Sequence, residues 1–579
     1  MKRITIPNIL ILVSLFTAFR LEAMVVTADP TVNLQGSLQD LPLEGIYLHI
    51  DRDKYIAGED IWVSIYTTDQ ITGKLSSQSV VAYVELLNPW NMPVVQTRFQ
   101  LSGGRGDGNL LLPDSVSSGT YTIRAYTNRM KNFLPDNCYM HDIEICNPFK
   151  GSDFWRKTYS TGSVSKKPDN STDKTESTKY LAGDTIYSRR EKVSVKVKIG
   201  DGQPGISEVS ISVTPAEVAS ESRWNNVTVN IGTGLQQYGF ESEGHYLSGR
   251  IRYRDGTVSD SAHFLYMSIQ GKVADFKYAH IDTSGRFSFI MPTDSKMRNL
   301  ILQPENANNN MILEIEPSFS WLLPASRCFK DTFTDPQLDV FAGLSFNYQA
   351  AKIYGTSSKK ETVNNDNSNL KKRRFYGIPE MEIFLKDYIR LPVMQEVFFE
   401  LVPGIILRSG RSGYEIKITN PMTGNFYVEP PLVMIDGVII NDLTILADLD
   451  PGMVEKIEVV KTPYLTGDLI LHGIVNVITR SGDFSSNNIP EYAVVLPYRV
   501  IDIPNTFVAP DYTGEPDSLS RRPDLRNTLY WNPSLKTGRS GEAEIEFWTS
   551  DLPGIYIINI QGISGTGELV SLRNSFIVR

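Results

Sequence analysis

Cysteine is scarce in this chain: Cys138, Cys146 and Cys328 are the only three in 579 residues. So few thiols do not make a disulfide framework, even in an exported protein. Cys138 and Cys146 flank YMHDIEI, and read as continuous strand that segment holds them about 26 Å apart, out of bridging range. Only a turn at Met140-His141-Asp142 would bring them together. Histidine is nearly as rare. His49, His141, His245, His263, His280 and His472 are scattered, and none shares a zinc-like spacing with a second ligand. No G-x-S-x-G elbow and no phosphate loop occurs. The glycine run Gly103 to Gly108 precedes a strand instead of a helix, so it lacks the helix N-terminus that a phosphate cradle uses. The net charge of −9 is spread along the chain, which argues against nucleic-acid binding. The one basic run, Lys371-Lys372-Arg373-Arg374, lies in a polar tract and reads as solvated linker.

Long apolar runs are also missing beyond the first residues. Lys2 and Arg3 followed by Ile9 to Phe19 read as a secretory signal spanning residues 1–28, with Ala23 and Ala28 as cleavage positions. An uncleaved anchor is the alternative, although the run is short for a membrane span. No cysteine lies near either position, which excludes the bacterial lipoprotein route.

What is present is β pattern. Hydrophobic residues make up 41% and charged residues 21%, a globular composition, and the length calls for several domains. Ile46, Leu48 and Ile50 alternate as one strand, Tyr55 to Glu59 turns, and Ile61, Val63 and Ile65 alternate as the next. Val80 to Leu87 and Val94 to Phe99 add strands. Arg105-Gly106-Asp107 is an adhesion-type tripeptide whose residues are equally ordinary in a tight surface turn. Residues 151–179 are Ser-, Thr-, Lys-, Asp- and Asn-rich and read as a linker; Asn170-Ser171-Thr172 within it forms a glycosylation triplet. Val193, Val195, Val197 and Ile199 face one way and Val209, Ile211 and Val213 return, repeating the first template. Residues 245–292 and 299–315 continue as strands with a turn at Asp282 to Phe287. Residues 326–377 read as an irregular connection and polar linker. Met381 to Leu401 has partly helical spacing, with Pro392 starting or interrupting its second part. Leu432 to Ile435 and Val438 to Ile440 flank the two-residue hairpin signal Asp436-Gly437. Leu443 to Leu449 reads as a helical turn, and Val454 to Val459 and Gly473 to Ile478 as strands. Glu542 to Thr549 and Gly554 to Ile560 alternate near the end.

Two family resemblances overlay this reading. EGIYLHIDRDKYIAGEDIWVSIYTTD and GTYTIRAYT resemble the Ig-like sandwiches of alpha-macroglobulins. The stretches around Tyr187 to Val213 and Leu529 to Val578 resemble the same template, and residues 236–325 resemble a transthyretin-like (carboxypeptidase-regulatory-like) sandwich. IDGV, VEKIEVVK and GIVNVITRSG resemble, in order and spacing, the plug domain of TonB-dependent outer-membrane receptors. The match departs at Tyr464 to Asp468, where receptors carry a small-residue turn. About 95 residues follow Phe484, too few for the barrel of about 22 strands that encloses such plugs. The thioester motif of macroglobulins is absent, since none of the three cysteines stands in it.

The expected fold class is therefore mainly β: tandem Ig-like, macroglobulin-like sandwiches plus one small α/β plug-like domain. The expected domains are 40–150 and 180–235 (partial) as macroglobulin-like sandwiches, 236–325 as the transthyretin-like one, 378–484 as plug-like and 495–579 as a C-terminal macroglobulin-like sandwich. No catalytic, cofactor-binding or metal-binding residue is singled out, and no cofactor and no enzyme activity are expected. Asp51 with Asp53, and Asp448 with Asp450, pair carboxylates in turns that suit a hard cation or plain solvation. Both pairs lack the calcium-loop pattern. The expected role is protein recognition, with sandwich edges accepting a partner strand. The resemblances imply an exported protein of the Gram-negative envelope, in the periplasm or at the outer membrane, meeting a protein partner linked to TonB-dependent transport. They imply as the alternative an endopeptidase inhibitor without thioester, with residues 151–179 as bait. No nucleic acid and no membrane span after signal removal are expected.

Overall fold

The computed structural model describes residues 43–150, 180–182, 185–199, 207–221, 238–258, 263–305, 310–324, 333–354, 373–410, 413–483, 489, 492–513, 522–564 and 567–579. The expectations for the signal at 1–28, the linker at 151–179, Asn170 and Cys328 lie outside the described residues. From Leu43 onward the chain forms one unit, and it is mainly β. No helix among the described residues is long and apolar enough to cross a membrane.

The first sandwich uses β1 (Glu44–Ile50), β2 (Lys54–Ile56), β3 (Asp60–Asp69), β4 (Val81–Leu87), β5 (Pro93–Gln100), β6 (Arg105–Leu111), β7 (Gly119–Thr127) and β8 (Tyr139–Cys146). They pair as β1-β3-β6 and β2-β8-β7-β4-β5. The period-2 residues Leu48, Ile50, Ile61, Val63 and Ile65 meet in its core, as alternation requires. Gly58 holds the turn after β2 at φ 91°, and a side chain there would strike the Asp114 carboxylate. β8 runs unbroken from Tyr139 to Cys146, so Cys138 and Cys146 stand at opposite ends of it. Arg105-Gly106-Asp107 forms no turn. It lies within β6, paired with Ser64 to Tyr66, and Arg105 is bonded to Glu208 at 2.8 Å.

β9 (Tyr180–Ala182), β10 (Ile186–Tyr187), β11 (Lys192–Lys198) and β12 (Glu208–Pro215) follow, too few to enclose a core. The chain then leaves. β13 (His245–Tyr253), β14 (Phe264–Ile269), β15 (Asp275–His280), β16 (Arg286–Met291), β17 (Arg298–Pro304) and β18 (Met311–Ile315) build an inserted sandwich, ordered β16-β13-β18 over β15-β14-β17. Its residues Leu247, Leu265 and Phe287 join the same apolar cluster as the first sandwich.

The irregular connection expected after it is instead helical over twenty residues: α1, Asp335–Tyr354. Phe341 and Leu344 press it against Ile56 and Cys146. Its buried set also contains Ser345 and Asn347, so the apolar stripe that announces a helix is broken in the sequence.

The α/β domain comes next: β19 (Met381–Phe384), α2 (Met394–Leu401), β20 (Ile405–Gly410), β21 (Gly413–Ile418), β22 (Leu432–Ile435), β23 (Val438–Ile439), α3 (Leu443–Ala447), β24 (Val454–Val460), β25 (Tyr464–Thr466), β26 (Leu469–Leu471) and β27 (Ile474–Thr479). Its five-stranded sheet runs β19-β24-β27-β22-β23. Met381 to Phe384, expected as helix, is the edge strand, because it pairs with β24. One sheet face packs α2, α3 and the β20–β21 hairpin; the other meets Ala274 and Phe276 of the inserted sandwich. Asp436 and Gly437 turn at φ 47° and 76°, as a two-residue hairpin demands. The buried Asp436 carboxylate also accepts from Thr479 N at 2.7 Å, which ties the hairpin to β27. Arg374 is not solvated linker: it bonds the buried Glu458 at 2.5 Å, while Lys371 and Lys372 lie outside the described residues.

The return path completes what was left open. β28 (Val494–Tyr498) adds to β17, extending that sheet of the inserted sandwich at the end away from β15. β29 (Tyr530–Lys536), β30 (Glu542–Trp548), β31 (Gly554–Ile563) and β32 (Leu569–Val578) join β9 to β12 in the sheets β10-β32-β31-β12-β29 and β30-β11-β9. The two sandwiches expected at 180–235 and 495–579 are thus one split sandwich with a single core. The α/β domain is inserted into the inserted sandwich, and both are inserted into the split one.

Candidate protein-interaction seam

The turn Asp282 to Gly285 joins two strands that lie in different sheets, and among the described residues no strand pairs with their facing edges. Asp282 shapes it: its carboxylate accepts from Ser284 N and Arg286 N, each at 2.8 Å. β15 is the end strand of its sheet and β16 the end strand of the other.

Hydrogen-bond parity decides which backbone groups face outward. Ile251 N donates to Gly285 O at 2.8 Å, so Gly285, Phe287 and Phe289 are the residues bonded to β13. In an antiparallel ladder the intervening residues point away, which turns the N–H and C=O of Ser288 and Ile290 to the open edge. Ile281 N donates to His263 O at 3.0 Å, so by the same rule Phe276, Tyr278 and His280 present theirs. Lys277 reaches across and donates to Ile290 O at 3.0 Å; a lysine at an open edge is a common guard against unwanted pairing.

Two cavities follow these edges, of about 850 Å³ and 390 Å³. Both are lined by Tyr278 and Ser288, so they adjoin along the seam. The larger is walled by Lys131, Tyr238 and Glu316. Burial pushes the Lys131 ammonium down to about 8, and it donates to Ser318 O at 2.6 Å. The smaller is walled by Phe375 and Tyr464 of the α/β domain. The Phe375 ring is tilted against that of Phe276 at 5.1 Å and meets that of Tyr464 edge-on at 5.5 Å.

The β25–β26 hairpin pins the α/β domain onto β15. The Tyr278 hydroxyl lies 2.9 Å from both Thr466 O and Asp468 Oδ1, and His280 Nε2 lies 3.2 Å from Asp468 Oδ2. The Tyr278 hydrogen bond, and His280 after it, hold the Asp468 carboxyl below its ordinary range. Gly467 sits at φ 55°, and a side chain there would strike the Tyr278 hydroxyl. This contact falls in the stretch Tyr464 to Asp468, where the sequence departs from receptor plugs.

The chemical candidates from the sequence do not converge. Asp51 is not solvated. It is fully buried and accepts from Tyr55, Trp62 N and Thr528 at 2.8, 3.0 and 2.5 Å. Asp53 is 2.8 Å from His141. Asp450 faces Arg390 at 3.0 Å and caps Gly452 N. His49 and His245 are buried, and His472 is 3.8 Å from Glu429. Among the described residues no group of three metal-ligating side chains converges. The seam was invisible in the sequence: alternation shows that β15 and β16 are strands, but nothing local shows that each ends a sheet.

No protein-family model and no curated protein matches the chain. Solved structures that match include Salmonella alpha-2-macroglobulin reacted with methylamine, at 10% identity over 93% of this chain and 40% of that one, with a TM-score of 0.23. Escherichia coli alpha-2-macroglobulin activated by porcine elastase matches at 10% identity over 93% and 44%, with a TM-score of 0.24. The chain thus spans less than half the length of these structures.

Proposed function

We propose that this chain is a non-enzymatic, exported protein of the cell envelope that recognises another protein through the seam between β15 and β16. The observation that supports it is the pair of strand edges, without a strand partner among the described residues, that border two adjoining cavities, since unpaired edge groups are a ready template for a partner's backbone. The resemblance of residues 378–484 to receptor plugs supports, in this reading, a partner within the TonB-dependent transport machinery of the outer membrane.

The test is capture from cross-linked envelopes with the tagged full chain. An outer-membrane receptor retained by the wild type, and lost when His280 and Ser288 are both replaced by bulky Trp, is the expected result. Recovery of the chain alone overturns the reading. A parallel incubation with trypsin separates the rival: a chain cut once that then retains the protease in gel filtration is an endopeptidase inhibitor.

A further inference from the structure

We infer that the occupant of the seam is an extended segment of the partner that adds as a strand to β16 and carries an apolar or aromatic residue beside an acidic one. This rests on the protein-recognition reading and names the chemistry of its ligand.

Three features of the seam select that ligand. First, β16 offers outward N–H and C=O groups at Ser288 and Ile290, spaced as a strand partner needs them. Phe287, Phe289 and Met291 meanwhile stay buried in the core. Second, the smaller cavity is bordered by Phe276, Phe375 and Tyr464, a slot for one flat or branched apolar side chain. Third, Lys277 is the one charged side chain that lines this cavity among the described residues. Its ammonium now sits on the Ile290 carbonyl. An incoming backbone N–H takes over that carbonyl and releases the ammonium to a carboxylate on the same segment. A peptide with a basic residue in that place meets Lys277 head-on, so charge discriminates between otherwise equal strands.

The edge can be blocked without disturbing the native ladder. Ser288 is exposed and its N–H points away from β13, so Ser288→Pro removes one edge donor while Phe287 and Phe289 keep their bonds to β13. Proline is tolerated at such an edge position.

The probes are fluorescein-labelled peptides of about ten residues, alternating Thr and Val, with Phe-Asp, Phe-Lys or Ala-Asp at the centre. They are titrated against the full chain by anisotropy. The Phe-Asp peptide is expected to bind the wild type and Ser288→Ala equally, and Ser288→Pro at least about tenfold more weakly. Lys277→Gln should erase the preference for Phe-Asp over Phe-Lys. Tyr464→Ala, on the α/β-domain wall of the cavity and outside β16, should weaken Phe-Asp and leave Ala-Asp unchanged, which keeps the test decisive if Ser288→Pro does not fold.

Equal binding by folded Ser288→Pro, or no preference among the three peptides, overturns the inference. If no peptide binds while both wild type and Ser288→Pro still capture an envelope receptor, strand addition is wrong and protein recognition stands. If peptides bind as described but the wild type captures no envelope partner, the seam chemistry stands and the transport-linked role falls.

Discussion

The first sandwich closes within residues 44–146, each strand finding its neighbours nearby. The split sandwich pairs β12 at residues 208–215 with β31 at residues 554–563. Both are two-sheet structures with alternating cores, and they differ in where polar groups are buried. In the first, Arg124 is wholly buried and ion-paired with Glu85, and its guanidinium also donates to Ser320 O at 2.9 Å and Leu322 O at 2.7 Å. In the split sandwich the buried pair Arg526–Asp524, 2.8 Å apart, joins residues of the returning half alone, and the pair that crosses the break, Arg190–Asp551, sits at the margin at 2.7 Å. A host that tolerates a long insertion holds itself together by shape across the break, whereas the continuous sandwich uses a buried charge to fasten the insertion to itself.

The sharpest way to break this contrast is Arg124→Ala. It strands the Glu85 carboxylate inside the first sandwich and should cost about 3–5 kcal/mol in urea unfolding, with hydrogen exchange rising in residues 318–324 as well. A loss confined to the first sandwich would mean that the guanidinium does not fasten the insertion.

Ile560→Ala, in the centre of β31 and fully buried, should cost about 2–4 kcal/mol. Exchange protection should fall together in β12, β30 and β31. If β12 keeps its protection while β31 loses it, the halves are separate domains.

The boundary between the two sandwiches predicts a pH effect. His49 lies against Ser210 Oγ at 2.6 Å, and burial pushes its imidazole down to about 3. The unfolded chain takes up this proton near the ordinary histidine value, the folded chain far below it. The contribution is therefore full above about pH 6.5. It is lost at roughly 1.4 kcal/mol per pH unit as the pH falls toward 3. His245, also lowered by burial, acts in the same direction, so His49→Gln should reduce the acid slope of stability by one proton and leave the rest.

The smallest effect belongs to the margin. Arg190→Ala should cost below about 1 kcal/mol, as partly solvated pairs do, and a melting curve close to wild type is the check. A large loss there would mean that charge, and not core shape, holds the split sandwich.

Much of the strand content was legible beforehand. Val193, Val195 and Val197 alternate as read, and the Asp436-Gly437 turn falls where the dipeptide put it. Helix α1 was missed because Ser345 and Asn347 interrupt its stripe, and Met381 to Phe384 was misread because Met394 to Leu401 lends helical spacing to the whole stretch. The split of the second sandwich was missed for a different reason: β10 to β12 and β29 to β32 look like two copies of one template.

The order of residues alone determined which stretches extend, which turn and which side of each strand turns inward. Those are set by the two-residue period and by the steric needs of Gly, Asp and Pro, which act over a few positions. Which strand lies beside which, and so which edges stay open, was decided by the tertiary structure. An alternating strand pairs equally well with many others, and only the packing of all the faces at once selects β12 with β31 and leaves one edge each of β15 and β16 without a strand partner among the described residues.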